Sequence, residues 1–341
     1  MEQSVLRGEI AEQPETLARF LEREGRRGAR LAAALAARHP RFVLVAARGT
    51  SDNAGRYAQY ALGICARLPV GLAAPSLGTV YGRPPRLEGA LVVGISQSGR
   101  SPDICETVAD ARRQGADTLA IVNDTESPLA RAAAEVLPLH VGEERSIAAT
   151  KTYTAQLAAV ALLALHMGPR RPERAALFSL PDLAAKALRH EGEAARAARL
   201  LAGASGAVVL ARGVNFPTAF EAALKLKEMA LLLAEPMSAA DFQHGPLALS
   251  GHALPVVLVS PPGAAAERSL AALGRLLVRR GSPLLRIGGR GKGAVGLPDS
   301  PELLSPIPAA VACQLLALHA ALARGVDPDR PQGLKKVTET R

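Results

Sequence analysis

Short, continuous apolar runs alternate with longer stretches of helical periodicity along most of the chain. The runs include ALVVGI from Ala90, LAIV from Leu119 and VVLVS from Val256. Runs of this kind are expected for parallel strands buried on both faces by crossover helices. The pattern also repeats. LVAARGTS, beginning at Leu44, has a counterpart in VVLARGVN, beginning at Val208, and both read as strand, Arg-Gly, then helix. Arg48 and Arg212 stand 164 residues apart, as do Val92 and Val256, Gly99 and Gly263, and Leu119 and Pro283. One offset held over several elements predicts an α/β protein with two tandem doubly wound subdomains, each on a parallel sheet. The expected organisation is a helical N-terminal extension over 1–40, a first subdomain over 41–180, a helical Arg- and Ala-rich linker over 181–205, a second subdomain over 206–324 and a coil tail over 325–341. In such sheets ligands bind beyond the carboxyl ends of the strands, where loops lead into helix N-termini.

Composition narrows the class. With 341 residues, 48% hydrophobic and 21% charged, the chain can bury one large core or two ordinary ones. The longest apolar run, 157–165, is too short to cross a bilayer, and the first thirty residues carry too much charge for a signal sequence. A soluble, cytoplasmic protein with no membrane partner is expected. Cys65, Cys105 and Cys313 are odd in number and far apart, which fits small core residues and neither a disulfide framework nor a metal site. A net charge of +10 invites a nucleic-acid partner, but the basic residues are dispersed, aromatics make up 3%, Trp is absent and no DNA- or RNA-binding motif occurs. An arginine-rich surface or a small anionic substrate is expected instead. Seven lysines stand against thirty-four arginines, and four of them, Lys225, Lys227, Lys335 and Lys336, fall in two short segments.

The loop Ser96–Asp103, SQSGRSPD, follows an apolar run and precedes an amphipathic helix. Ser101 suits an N-cap, Pro102 a first helical position and Gly99 a close backbone approach, so hydroxyls and free N–H groups converge on a positive helix end. That layout binds phosphate without lysine; it also describes a capped helix after a serine-rich turn. Its counterpart, Ser260-Pro261-Pro262-Gly263, lacks the hydroxyls, so one phosphate site per chain is expected. Thr50 and Ser51 open another helix at a strand end, with Ser51 either a ligand or an N-cap. The segment from Glu144 to Lys151 offers further backbone donors, and Lys151 reads as a ligand or a solvated helix residue. Glu221, Lys225 and Glu228 share one helix face. Such a stripe is either solvated or, given its apolar flanks, set in a crevice where a carboxylate can shuttle a proton. His244, before Gly245-Pro246, is either a surface residue or a group titrating near neutrality. In the tail, Lys335 and Lys336 offer an amine for a Schiff base, or merely a basic terminus.

Together, EIAEQPE (9–15), RGTS (48–51), SQSGRSPD (96–103), AATKTYTAQ (148–156), ALKLKE (223–228), HGPLAL (244–249) and GLKKVT (333–338) resemble the sugar isomerase (SIS) domain family over essentially the whole chain. The nearest members by these motifs are the isomerase half of glucosamine-6-phosphate synthase and its glutaminase-free relatives. The resemblance implies two tandem flavodoxin-like SIS subdomains acting on a small-molecule sugar phosphate, with neither metal nor cofactor. It implies that Ser96, Gln97, Ser98 and Ser101 bind the phosphate, with Thr50 and Ser51 beside it and Ala149 near the sugar. It makes Glu228 the C1–C2 proton carrier and His244, from the neighbouring subunit of a homodimer, the ring-opening residue. Lys336 becomes the Schiff-base amine, Glu221 and Lys225 support that site, and the tail closes it.

Two departures bear on activity. The chain starts at the isomerase region, so glutamine-dependent synthesis is not expected, and Arg48 and Ala149 stand where the synthase pattern has cysteine and serine. Both features look like the stand-alone deaminases of the family. Conversion of glucosamine 6-phosphate to fructose 6-phosphate and ammonia is therefore the leading expectation. A glutaminase-free aminotransferase using external ammonia, a fructosamine-phosphate deglycase and a non-catalytic sugar-phosphate sensor are the alternatives.

Overall fold

The computed structural model describes residues 4–169, 171–251, 253–331, 333 and 336. The chain divides into two compact units. The first comprises Glu15–Glu144, Lys151–Phe178 and Lys335–Arg341, and the second Met1–Pro14, Arg145–Thr150 and Ser179–Leu334.

The first unit is built on β1 (Phe42–Ala46), β2 (Val70–Leu72), β3 (Ala90–Ser96), β4 (Asp117–Val122) and β5 (Glu135–Pro138). They form one parallel sheet in the order β2-β1-β3-β4-β5. β3 is buried at every position, as its unbroken apolar run requires when helices cover both faces. Helices Gly49–Ala66 and Lys151–Met167 pack together, and helix Pro102–Arg113 lies against the β1–β3–β4 region. The order reverses between β1 and β3, which places the switch point of the sheet at their carboxyl ends.

The second unit repeats this plan with β6 (Gly206–Ala211), β7 (Leu233–Ser238), β8 (Val256–Val259), β9 (Leu284–Ile287) and β10 (Ala294–Val295), in the order β10-β9-β8-β6-β7. The internal repeat extends to the pairing register. Leu44 faces Val92 in the first sheet, and their counterparts Val208 and Val256 face each other in the second. The offset is not kept at the next strand. Leu119 pairs with Val93 but Leu285, not Pro283, pairs with Val257, because the segment from Gly263 to Gly281 is two residues longer than that from Gly99 to Gly115. A slip of two leaves every side chain on its original face, so the core pattern survives.

One expectation about apolar segments needs correction. The stretch Glu302–Ala323 has a mean hydropathy of 1.6 and is long and apolar enough to cross a membrane. The helix within it, Pro306–Ala323, is instead buried in the second unit against helices Phe216–Ala230, Glu191–Ala198 and Leu180–Leu188. It is apolar on all sides because it has neighbours on all sides. Cys65 and Cys313 are buried and Cys105 half-buried, all as free thiols. Burial, and then the nearby Glu221 carboxylate, push the Cys313 thiol up to about 12. The described part of the tail from Gly325 contains neither helix nor strand, and Asp329 accepts the N–H groups of Val5 and Leu6 at 3.1 and 2.8 Å. It thereby satisfies donors that the first helix, Val5–Ala11, would otherwise leave open.

Candidate functional site

In the first unit, the loops leaving β1 and β3 each run directly into a helix, so their backbone amides gather at two helix N-termini. Gly99 takes φ +63°, and a Cβ there would collide with Ser127, so only glycine closes the β3 turn this tightly. Ser96 is buried and its Oγ accepts the Gly99 N–H at 3.0 Å. Ser51 is buried within the helix, and its Oγ accepts from Nε2 of Gln156 at 2.8 Å. This corrects the reading of Ser51 as an N-cap, a position that Arg48 occupies. Since both hydroxyls already accept, each keeps its own proton for an incoming acceptor. Ser101 stands at the N-cap of helix Pro102–Arg113 but makes no side-chain cap bond, and Gln97, Ser98 and Thr50 are half-buried beside these turns. Ser98 Oγ accepts the Arg100 N–H at 3.4 Å.

Arg48 supplies a connection that the sequence did not reveal. Its Nε and one terminal nitrogen both reach Oδ2 of Asp103, at 2.9 and 2.6 Å, and so clip the β1 loop to the β3 loop. Asp103 is only 2% exposed, and its other oxygen accepts the Ile104 N–H at the start of the helix. The signal available in advance was an acidic residue in the first turn after a serine-rich loop, which asks for a cation. Asp52, in the turn after Arg48, has its carboxyl raised by burial, against the opposing pull of Arg56 and Arg48.

Lys336 is also placed in this unit. Its ammonium lies 3.1 Å from Oε2 of Glu144, whose fully buried carboxylate also accepts the N–H and hydroxyl of Thr152 at 3.1 and 2.9 Å. Of the neighbouring tail motif, Leu334, Lys335, Val337 and Thr338 lie outside the described residues. Lys151 is buried at the start of its helix, which corrects its reading as a solvated residue.

The second unit holds the acidic face. Helix Phe216–Ala230 buries Glu221 and Lys225, each with a side chain only 1% exposed, while Glu228 is 25% exposed. Nζ of Lys225 is 2.6 Å from Glu228 and 3.4 Å from Glu221. A solvated stripe is therefore excluded, and the apolar flanks were the informative part of the sequence. His244 is exposed in the turn after the short helix Ala239–Phe242. Ala149 is half-buried in the segment Arg145–Thr150, which is held from two sides. Glu9 accepts from the N–H groups of Arg145 and Ser146 and from the Ser146 hydroxyl. Gln314 accepts from Gln13 at 2.8 Å and donates to the Thr150 carbonyl at 3.2 Å. The backbone donors expected to be open at 145 and 146 are thus committed to Glu9, and the EIAEQPE motif acts as the clamp on this loop.

The profile of the SIS domain matches residues 38–166 and 200–295. A glutamine–fructose-6-phosphate aminotransferase (isomerizing) of Thermus thermophilus is 36% identical over 350 residues, covering 96% of this chain and 57% of the relative. The chain therefore spans little more than half the length of the curated relatives it matches. The C-terminal domain of a glucosamine-fructose-6-phosphate aminotransferase from Francisella tularensis superposes with a TM-score of 0.88 at 26% identity, covering 96% of this chain and 98% of that one. A glucosamine-6-phosphate deaminase from Thermotoga maritima shares the fold with a TM-score of 0.81 at 23% identity, covering 99% and 100% of the two chains.

Proposed function

The chain belongs to the SIS domain family, and from that premise we propose that it converts glucosamine 6-phosphate and water to fructose 6-phosphate and ammonia. The observation that carries this reading is the Glu221–Lys225–Glu228 set, a charged group buried on one side and open only at Glu228. A phosphosugar sensor has no need of a carboxylate so held, whereas proton transfer does. In the proposed reaction Ser96, Gln97, Ser98 and Ser101 hold the phosphate, with Thr50 and Ser51 contributing and Ala149 leaving room beside the sugar. His244, supplied by the neighbouring subunit of a homodimer, assists ring opening. Glu228 takes the proton from C2 of the open-chain aldose and delivers it to C1. The C2 imine so formed adds water and releases ammonia, leaving the ketose. Lys336 holds the open-chain ketose reversibly as a Schiff base, its neutral amine adding to the C2 carbonyl with loss of one water that hydrolysis later returns, which requires its ammonium first to yield a proton and leave Glu144.

A second reading is the same chemistry in the synthetic direction with ammonia as donor, favoured by the aminotransferase names of the relatives. The deciding assay follows ammonia and fructose 6-phosphate together from glucosamine 6-phosphate, without glutamine or metal, and then runs fructose 6-phosphate with ammonium in reverse. Matched production forward supports the deaminase. Product only in reverse supports the synthase, and no product either way rejects both.

Ser98→Ala is expected to raise KM for the sugar phosphate by about tenfold or more with little change in kcat, because one hydrogen bond to a charged group is worth about 1.5–3 kcal/mol. An unchanged KM removes Ser98 from the phosphate site. For the shared site, mixing inactive His244→Ala and Glu228→Gln chains is expected to restore part of the activity. No recovery in verified mixed dimers assigns both residues to one subunit.

A further inference from the structure

The second unit contains a cavity of about 1210 Å³. It lies at the carboxyl ends of β8 and β9, bounded by Pro262 from the loop after β8, by the loop Gly288-Gly289-Arg290-Gly291-Lys292-Gly293 after β9 and by helix Glu191–Ala198 with the turn that follows it. Pro262 is the repeat counterpart of Ser98, so the cavity sits beside the copy of the serine loop that lost its hydroxyls. The family reading leaves this copy without a role.

The chemistry of the walls is cationic. Arg196 and Arg199 face the cavity from the helical side, and Arg290 and Lys292 from the glycine loop. Among the described residues none of these four makes an ion pair with a carboxylate, although half of the described arginines of the first unit do. Two of the acids that line the cavity already accept hydrogen bonds. Glu193 accepts the Gly296 N–H at 2.6 Å and lies 3.0 Å from His190 Nδ1, and Glu267 accepts the Gly263 N–H at 2.9 Å. Asp299 also lines the cavity, so four cations face three carboxylates, two of which are already held by backbone N–H groups.

The loop itself presents amides. It is anchored at both ends, where Arg286 N–H donates to the Gly293 carbonyl at 2.8 Å and Gly288 N–H to Val295 at 2.9 Å. Between these anchors the N–H groups of residues 289–292 donate to no backbone carbonyl among the described residues. Gly288, at φ +96°, could carry no Cβ without striking the Ser260 carbonyl, and Gly291, at φ +93°, faces open space. A glycine loop turned in this way exposes successive amides in the manner of anion-binding nests.

We propose that this cavity is a second anion site, distinct from the serine loop, that takes a diphosphate-bearing small molecule. Two cations on each of two walls suit two phosphate groups better than one. The volume exceeds that of a lone phosphate and is ample for a nucleoside diphosphate. The site replaces the hydroxyls of the first repeat with guanidinium and ammonium groups, so the chain carries two anion sites of different chemistry rather than one.

Titration calorimetry on the full chain tests this, with inorganic pyrophosphate and ADP as probes. Arg290→Ala/Lys292→Ala and Arg196→Ala/Arg199→Ala are each expected to weaken both probes by about tenfold or more, the loss of at least one charge-assisted hydrogen bond. These side chains are exposed, so the variants are expected to fold. Lys186→Ala/Arg275→Ala removes the same charge from exposed positions outside the cavity and is expected to leave both affinities unchanged. Ser98→Ala is likewise expected to spare the probes while weakening glucosamine 6-phosphate, so failure of this site and failure of the serine loop are read separately. Absence of probe binding to the wild-type chain, or equal affinity in the wild type and both cavity variants, overturns the proposal, as does an equal loss in the Lys186/Arg275 control.

Discussion

Replacing Glu228 by glutamine is expected to lower kcat by about 10²-fold or more while KM for the sugar phosphate stays near the wild-type value. Glutamine keeps the length of the side chain and a carbonyl oxygen that can still accept from Lys225, now 2.6 Å away, so local packing is retained. What it loses is the ability to take a proton from carbon and return it to the neighbouring carbon. Binding by the serine loop does not depend on that proton, which is why the effect falls on kcat and not on KM. Steady-state assays of the variant separate the outcomes. Turnover near the wild-type rate removes Glu228 from the chemistry, while a rise in KM at constant kcat makes it a binding residue. Loss of both, with a lowered unfolding midpoint, would assign Glu228 to the fold.

The two sheets were legible because continuous apolar runs at a fixed offset leave little else for the chain to form, and the matched Leu44–Val92 and Val208–Val256 registers carry that repeat into the hydrogen bonds. The offset failed at Pro283 because register depends on connection length as well as strand pattern, and two added residues before Gly281 shift the pairing without changing its face. The serine loop was legible for a similar reason, since hydroxyls, glycine and proline at those spacings specify a turn into a helix. The contacts that hold the loops were not. Arg48 to Asp103 spans 55 residues and Glu9 to Ser146 spans 137, and neither separation has a local pattern. The same holds for Glu144, which reads as one more loop carboxylate until Thr152 and Lys336 are seen beside it. Long-range polar partners are chosen by topology, and the sequence displays topology only after the sheets are paired.

Lys225 is expected to give the largest effect on stability. Its ammonium lies against both Glu221 and Glu228, and Glu221 has no appreciable access to water. Lys225→Met keeps most of the buried aliphatic stem but leaves a carboxylate in a low-dielectric surround without its counter-charge. Removal of one partner from a buried pair costs about 3–5 kcal/mol, more than the pair contributed while intact, because the remaining charge is no longer compensated. Denaturant unfolding, with hydrogen exchange along helix Phe216–Ala230 to localise the loss, measures it. The sign of the pH dependence discriminates further. A buried carboxylate deprived of its cation takes up a proton more readily in the folded than in the unfolded state, so the folded variant gains stability as the pH falls. The deficit relative to the wild type is therefore expected to shrink toward acid. Lys225→Met combined with Glu221→Gln is expected to recover much of the loss, since an amide needs only hydrogen-bond partners where a carboxylate needs a charge. A single variant as stable as the wild type, or a deficit indifferent to both pH and the second substitution, would mean that the cation is not what makes this acidic face tolerable in the core.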